Sequence, residues 1–186
     1  LIVKTKDDYK KATTLRSHGI PEDRSDLSEM GMPDWYYEQI SQGYNYRLSD
    51  LQAALGVSQL ERLKSFVEIR NELALEYHKL LKGLPFKLQK ITYECISSYH
   101  LFILQIEDES ISRDKLYKYL KSNDIGCQVH YIPVHLQPFF KSKGFKENDF
   151  PNAEKYFEKC LTLPLHQGLS KDDIRFVCSK IEDFIA

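Results

Sequence analysis

The run from Ser49 to Lys82 constrains the fold more than any other stretch. Leu51, Leu55, Leu60, Leu63, Phe66, Val67, Leu73, Tyr77 and Leu80 recur along it at helical spacing. Ser49 and Gln52 have the form of a capping box, in which each side chain bonds the other residue's backbone N–H. Gly83 and Pro85 end the run. A helix of this length exceeds the usual globular one, so it either bridges two domains or contains a break. Gly56 inside it costs about 1 kcal/mol beside alanine. Close packing against another chain or strand is one reason to tolerate it.

The flanking elements are shorter. Leu1–Val3 reads as a buried strand, and Asp7 to Ser17 as a helix with acidic residues at its start. Gly19 is placed to stop that helix in a left-handed conformation. From Ile20 to Gln42 periodicity fails. Pro21, Gly31 and Pro33 alternate with Met30, Met32 and Trp35, the pattern of a loop that packs on its own apolar anchors. Beyond Pro85, Tyr99–Glu107 reads as a strand, and Ser112 caps a helix ending near Asn123, with Gly126 after it. Cys127–Tyr131 reads as another strand. Pro151 opens a helix through Lys159, and Thr162–Leu165 is extended. Ser170 with Asp173 caps a last helix whose apolar positions are Ile174, Val177, Cys178, Ile181 and Phe184. Strands alternating with helices indicate a small α/β domain.

With 186 residues, 42% hydrophobic and 28% charged, the chain has room for one core, or one core plus part of another. A formal net charge of -1 gives no electrostatic reason to expect nucleic acid or an anionic membrane as partner. No apolar run approaches a membrane span, and no signal-peptide pattern opens the chain. Cys95, Cys127, Cys160 and Cys178 form no C-x-x-C pair and fit reduced core thiols of a cytoplasmic protein. Leu1-Ile2-Val3 reads as a strand already under way, so the chain is expected to be a fragment of something longer.

Two constellations carry chemistry. In Gly43-Tyr44-Asn45-Tyr46-Arg47, Asn45 and Arg47 lie two residues apart with no local partner to explain both. An amide and a guanidinium presented together suit phosphate, because both offer directed N–H donors. The plainer alternative is a turn capped by Asn45 with Arg47 exposed. The second group is His130, Tyr131 and His135, with Pro133 between them preventing a continuous helix. Cys127, His130 and His135 can be imagined around zinc, but no fourth ligand has a convincing spacing and paired cysteines are missing. The plain reading there is one buried and one surface histidine. Arg16-Ser17-His18-Gly19 reads as a helix terminus, a cation near the C-terminal dipole followed by glycine, with no catalytic role for His18. His100 is read as structural within its strand, His78 as exposed on the long helix, and His166, after Leu163-Pro164-Leu165, as open between a loop contact and a ligand contact.

The ordered set of Gly43–Gly56, Gln128–His135 and Leu161–Leu165 resembles the PLP-dependent sugar aminotransferases of the DegT/DnrJ/EryC1/StrS family. The resemblance implies the C-terminal part of a fold-type-I PLP-dependent transferase. Residues 1–68 would be the end of the large PLP-binding domain with the start of a connecting helix, and residues 69–186 a small α/β domain. It implies a homodimer with a shared active site, in which Asn45 reaches the cofactor phosphate in the neighbouring subunit. Arg47, His130, Tyr131 and His135 would lie on the sugar-nucleotide side. The family's Schiff-base lysine and the aspartate paired with the pyridine nitrogen both fall upstream of the position matching Leu1. Lys4, Lys6, Lys10 and Lys11 are therefore excluded as the PLP lysine, no catalytic residue is expected here, and the chain alone should be inactive.

Pro33-Asp34-Trp35-Tyr36-Tyr37-Glu38 looks like the branch that aminates C4 of a UDP-linked 4-keto-6-deoxy-N-acetyl sugar on the route to pseudaminic acid. The implied amino donor is an amino acid, glutamate in the family, and the implied setting is surface-polysaccharide or flagellin-glycan biosynthesis. Two other readings stand beside it. One is a PLP-dependent sugar dehydratase of the same fold, in which histidine replaces the lysine. The other is a non-catalytic interaction module that uses the long helix as its partner surface.

Overall fold

The computed structural model describes residues 2–29, 31–92 and 94–186. The chain divides into two compact units, Leu1–Leu60 and Glu61–Ala186. Helix α1 spans Lys6–Arg16 and α2 spans Asp50–Leu80. They are followed by β1 (Phe86–Leu88), β2 (Phe102–Ile106), α3 (Arg113–Ser122), α4 (Pro138–Lys141), α5 (Pro151–Lys159), β3 (Cys160–Leu163) and α6 (Lys171–Ile185). Short 3-10 turns form at Arg24–Asp26 and Val134–Leu136. No helix among the described residues is long and apolar enough to cross a membrane.

Helix α2 is one continuous helix of 31 residues, which sets aside the broken form. Its start is the capping box read from sequence. Ser49 N donates to Gln52 Oε1 at 3.0 Å, and Gln52 N donates back to Ser49 Oγ at 3.4 Å. The apolar stripe is buried only toward the C-terminal end, at Leu73, Ala74 and Tyr77, while Leu51, Leu55, Leu60 and Leu63 are exposed. Among the described residues nothing lies within 4 Å of where a Gly56 Cβ would stand, so packing within this chain does not account for that glycine.

In the first unit, Thr5 caps α1 by accepting from Asp8 N, with Asp7 and Asp8 in the first turn. The expected opening strand is not formed. Ile2 and Val3 pair with nothing among the described residues, Ile2 is 99% exposed, and Leu1 lies outside the described residues. The loop after α1 is held by polar groups rather than by the expected apolar anchors. Arg24 donates to the carbonyls of Met32 at 2.7 Å, Asp34 at 3.0 Å and Pro33 at 3.1 Å. Glu38 accepts from the Ser28 amide and from its hydroxyl. Trp35 is exposed, and Met30 lies outside the described residues. A guanidinium gathering three carbonyls satisfies backbone acceptors that a loop without ladder partners leaves open.

The second unit holds the core. Its sheet is antiparallel in the order β1-β2-β3, with Phe86 opposite Ile106 and Phe102 opposite Leu163. Burial alternates along β2, with Phe102, Leu104 and Ile106 inside, as a half-covered strand requires. Tyr77 stacks on Phe102 at 4.6 Å between ring centroids and donates its hydroxyl to Pro164 O at 3.0 Å. Helix α6 buries Ile174, Val177, Cys178 and Ile181 behind a complete Ser170–Asp173 capping box. Helix α3 is capped by Ser112 and buries Leu116 and Leu120. Helices α5 and α6 match the elements read from sequence.

Several local expectations are corrected here. The strand expected from Tyr99 begins only at Phe102, because Tyr99 has a φ of 41° and turns the chain. His100 is therefore exposed and outside the strand. Cys127–Tyr131 is not a strand. It makes a single bridge, Gln128 opposite Thr162. Strand β3 begins at Cys160, ahead of the expected Thr162. Cys95 is exposed rather than a core thiol, while Cys127, Cys160 and Cys178 are buried and burial pushes the Cys178 thiol up to about 12.

His78 is half-buried, edge-on to Phe102 at 5.4 Å, rather than exposed. Burial holds its pKa below the ordinary 6.5. The unfolded chain then takes up the proton first as pH falls, so this stabilisation is present above pH 6.5 and is lost as pH drops through the folded value. Urea midpoints should accordingly fall between about pH 7.5 and pH 5.5, and His78→Gln should flatten that slope. An unchanged slope in the variant would exclude His78 as its source.

Candidate functional site

The first unit builds its site from two turns. Helix α1 ends at Arg16, and the chain then passes through two left-handed residues, His18 (φ 61°) and Gly19 (φ 77°). Residues 40–46 run back antiparallel to this exit. Tyr44 N donates to Leu15 O at 2.7 Å, His18 N to Tyr44 O at 2.8 Å, and Tyr46 N to Arg16 O at 3.0 Å. Ser17 bridges Asn45, and Ile40 N donates to Gly19 O at 2.9 Å. Glycine is required where the two turns cross. A Cβ on Gly19 would overlap the Ser41 carbonyl, and one on Gly43 would lie 2.5 Å from His18 C and 2.9 Å from Gly19 Cα.

Extended backbone sends alternate side chains to opposite faces. Tyr44 and Tyr46 stack on one face at 4.8 Å between centroids. Asn45 and Arg47 share the other, where Arg47 Nε donates to Asn45 Oδ1 at 3.2 Å. Each is therefore the other's partner, which corrects the expectation that no local partner explains both. Arg47 Nη2 also lies 3.3 Å from His18 Nε2. This contact was missed in the sequence because Arg16–Gly19 explains itself as a helix terminus. With Asn45 Oδ1 accepting from Arg47, the Asn45 amide N–H pair and the remaining guanidinium N–H groups are left as donors. A donor-rich edge of this kind fits a phosphate or carboxylate.

The second unit places the other three residues differently. His130 Nδ1 lies 2.9 Å from the hydroxyl of Thr162, itself buried in β3. Tyr131 is 66% exposed. His135 is 7% exposed and bonds Glu154 Oε1 through Nε2 at 2.9 Å. Glu154 also accepts from Asn148 N at 2.9 and 3.1 Å and from Phe150 N at 3.3 Å. Those backbone bonds to Asn148, ahead of His135, hold its carboxyl below the ordinary range. His135, Phe140, Phe145 and Phe150 line a pocket of about 340 Å³. Among the described residues no group of three or more His, Cys, Asp or Glu side chains is placed to hold a metal ion.

Comparison with known proteins gives this geometry its context. Residues 1–182 match the DegT/DnrJ/EryC1/StrS aminotransferase family. The spore coat polysaccharide biosynthesis protein SpsC of Bacillus subtilis is 36% identical over 156 residues, covering 81% of this chain and 40% of SpsC. The UDP-4-amino-4,6-dideoxy-N-acetyl-beta-L-altrosamine transaminase of Campylobacter jejuni is 36% identical over 169 residues, covering 90% of this chain and 42% of the transaminase. Spr1654 of Streptococcus pneumoniae, assigned as a sugar aminotransferase, has been solved in PMP and PLP forms. Its PMP form superposes with a TM-score of 0.83 at 28% identity, over 96% of this chain and 45% of that one. The chain thus spans less than half the length of the relatives it matches, and its fold is that of part of a PLP-dependent sugar aminotransferase. It belongs to the DegT/DnrJ/EryC1/StrS aminotransferase family.

Proposed function

We propose that the protein containing this chain transfers an amino group from an amino acid, glutamate, to C4 of a UDP-linked 4-keto-6-deoxy-N-acetyl sugar, as a PLP-dependent homodimer in the cytoplasm. The observation that carries the proposal is the donor-rich edge formed by Asn45 and Arg47 in a chain of this family. The choice of sugar rests on the likeness to the Campylobacter transaminase, 36% identical over most of this chain, and on the Trp35–Glu38 approach to the turn. It is an analogy within a family.

Residues 1–68 belong in this reading to the large domain and residues 69–186 to the small one. Asn45 directs its amide N–H groups at the cofactor phosphate of the neighbouring subunit. Arg47 offers its unengaged N–H groups to the anionic part of the sugar nucleotide. His130 and Tyr131 are the second unit's candidate donors to a sugar nucleotide, and His135, tied to Glu154, lines that unit's own apolar pocket. When bound, PLP supplies the electron sink for the transfer. The lysine that holds it lies outside this chain.

The test uses the full-length protein with PLP, glutamate and candidate keto sugars, following 2-oxoglutarate release and identifying the product. The UDP-4-keto-N-acetyl sugar should gain an amine. A dehydrated sugar without one would move the protein to the dehydratases, and turnover of TDP-linked or 3-keto sugars alone would remove the choice of branch. Asn45→Ala should weaken PLP retention about tenfold or more, the worth of a hydrogen bond to a charged group. Bound PLP measured by absorbance after gel filtration reads this directly, and unchanged retention would remove Asn45 from the cofactor site.

A further inference from the structure

We infer that His18 is a positioning residue for Arg47, fixing the guanidinium for the sugar-nucleotide anion. The inference rests on the role proposed above for Arg47.

Three features of the turn point to His18. The first is its backbone. A φ of 61° puts an L-residue with a large side chain where glycine fits best. Gly19 beside it shares that conformation, so the chain tolerates glycine in this stretch. Such a φ is uncommon outside glycine, asparagine, aspartate and histidine, and an outlier of this kind motivates a role for the side chain.

The second is the direction of the contact. A guanidinium has N–H donors and no acceptor. Arg47 Nη2 at 3.3 Å from His18 Nε2 therefore bonds it only where Nε2 is the accepting nitrogen of the ring. The third is that Arg47 is held along two of its edges, by Asn45 Oδ1 on Nε and by His18 on Nη2. An arginine side chain held by one hydrogen bond still swings about it. One held at two points presents its remaining donors in a fixed fork, and less freedom is lost when an anion binds.

The backbone carries this arrangement without the imidazole. His18 N–Tyr44 O and the Ser17–Asn45 bridge are main-chain contacts, which substitution at His18 leaves available. His18→Gly therefore removes the acceptor while relieving the strain, and His18→Gln supplies another acceptor of similar reach.

The experiment compares His18→Gly, His18→Gln, Arg47→Ala and the His18→Gly/Arg47→Ala double variant of the full-length protein. It reads the KM for the sugar nucleotide, kcat, UDP affinity by calorimetry, PLP retention and thermal midpoint. His18→Gly should raise KM and weaken UDP binding about tenfold, with kcat, PLP retention and the thermal midpoint close to the parent. His18→Gln should stay within about threefold of the parent. In the Arg47→Ala background His18→Gly should add nothing, as residues acting through one contact are not additive. An effect of His18→Gly that adds in full to that of Arg47→Ala, or no effect where Arg47→Ala has one, would overturn the inference and leave the proposed function standing. No effect of Arg47→Ala on KM or UDP binding would overturn the role proposed for Arg47, and the inference with it.

Discussion

Gly43→Ala is expected to cost about a hundredfold in activity of the full-length protein, the scale of a 1 Å misplacement at a reacting site. PLP retention and sugar-nucleotide affinity should fall together. The reason is steric. The new Cβ would lie 2.5 Å from His18 C and 2.9 Å from Gly19 Cα, and all the atoms it meets are backbone. No rotamer relieves that. The strand carrying Asn45 and Arg47 must move off the exit of α1, breaking the bonds from Tyr44 N to Leu15 O and from His18 N to Tyr44 O. Overpacking of this kind costs about 1–3 kcal/mol of stability. Gly126→Ala is the control, since among the described residues nothing stands within 4 Å of its Cβ position and its φ is not in the left-handed range. Comparable PLP retention in the two variants would show that the crossing of the turns does not place Asn45.

The parts of the fold legible in the sequence are those set by local rules. Pro151 at the head of α5, the Ser170–Asp173 box of α6, the Ser112 cap of α3 and the Ser49–Gln52 box of α2 are each decided by a few adjacent residues. Strand limits were less legible, because pairing decides them. Nothing local to Tyr99 announces that it turns, and Phe86–Leu88 is too short to have a period of its own. The candidate site divides in the same way. Asn45 and Arg47 were visible as residue types suited to anions, but their mutual bond and the contact with His18, 29 positions away in sequence, depend on the two turns being brought together. His130, Tyr131 and His135 were visible as a group, yet Thr162 and Glu154 reach them from 32 and 19 positions away. The loop before the turn misled for a related reason. Trp35 looked like an anchor by its size, whereas Arg24 and Glu38 hold the loop by bonds that side-chain hydrophobicity does not forecast.

Phe102→Ala should be the most destabilising single change in the second unit, at about 3–5 kcal/mol. Phe102 has no exposed surface and contacts three rings, stacking on Tyr77 at 4.6 Å and Tyr99 at 6.2 Å and meeting the edge of His78 at 5.4 Å. Its removal opens a cavity where Tyr77 and His78 of α2 meet β2, and these neighbours cannot readily collapse into it. Tyr77 is held by its bond to Pro164 O, and Tyr99 by a left-handed turn. Phe102→Leu keeps most of the volume and should cost under half as much. Urea unfolding followed by the loss of helical signal measures both. The same variants separate packing from chemistry, because Phe102 belongs to the second unit and the Asn45–Arg47–His18 cluster to the first. Below the unfolding transition, Phe102→Ala should leave PLP retention near the parent value while lowering the urea midpoint. A variant that keeps the parent midpoint would show that Phe102 does not anchor this core. One that loses PLP while still folded would show that the second unit's core, and not only the crossing of the two turns, determines how the cofactor is held.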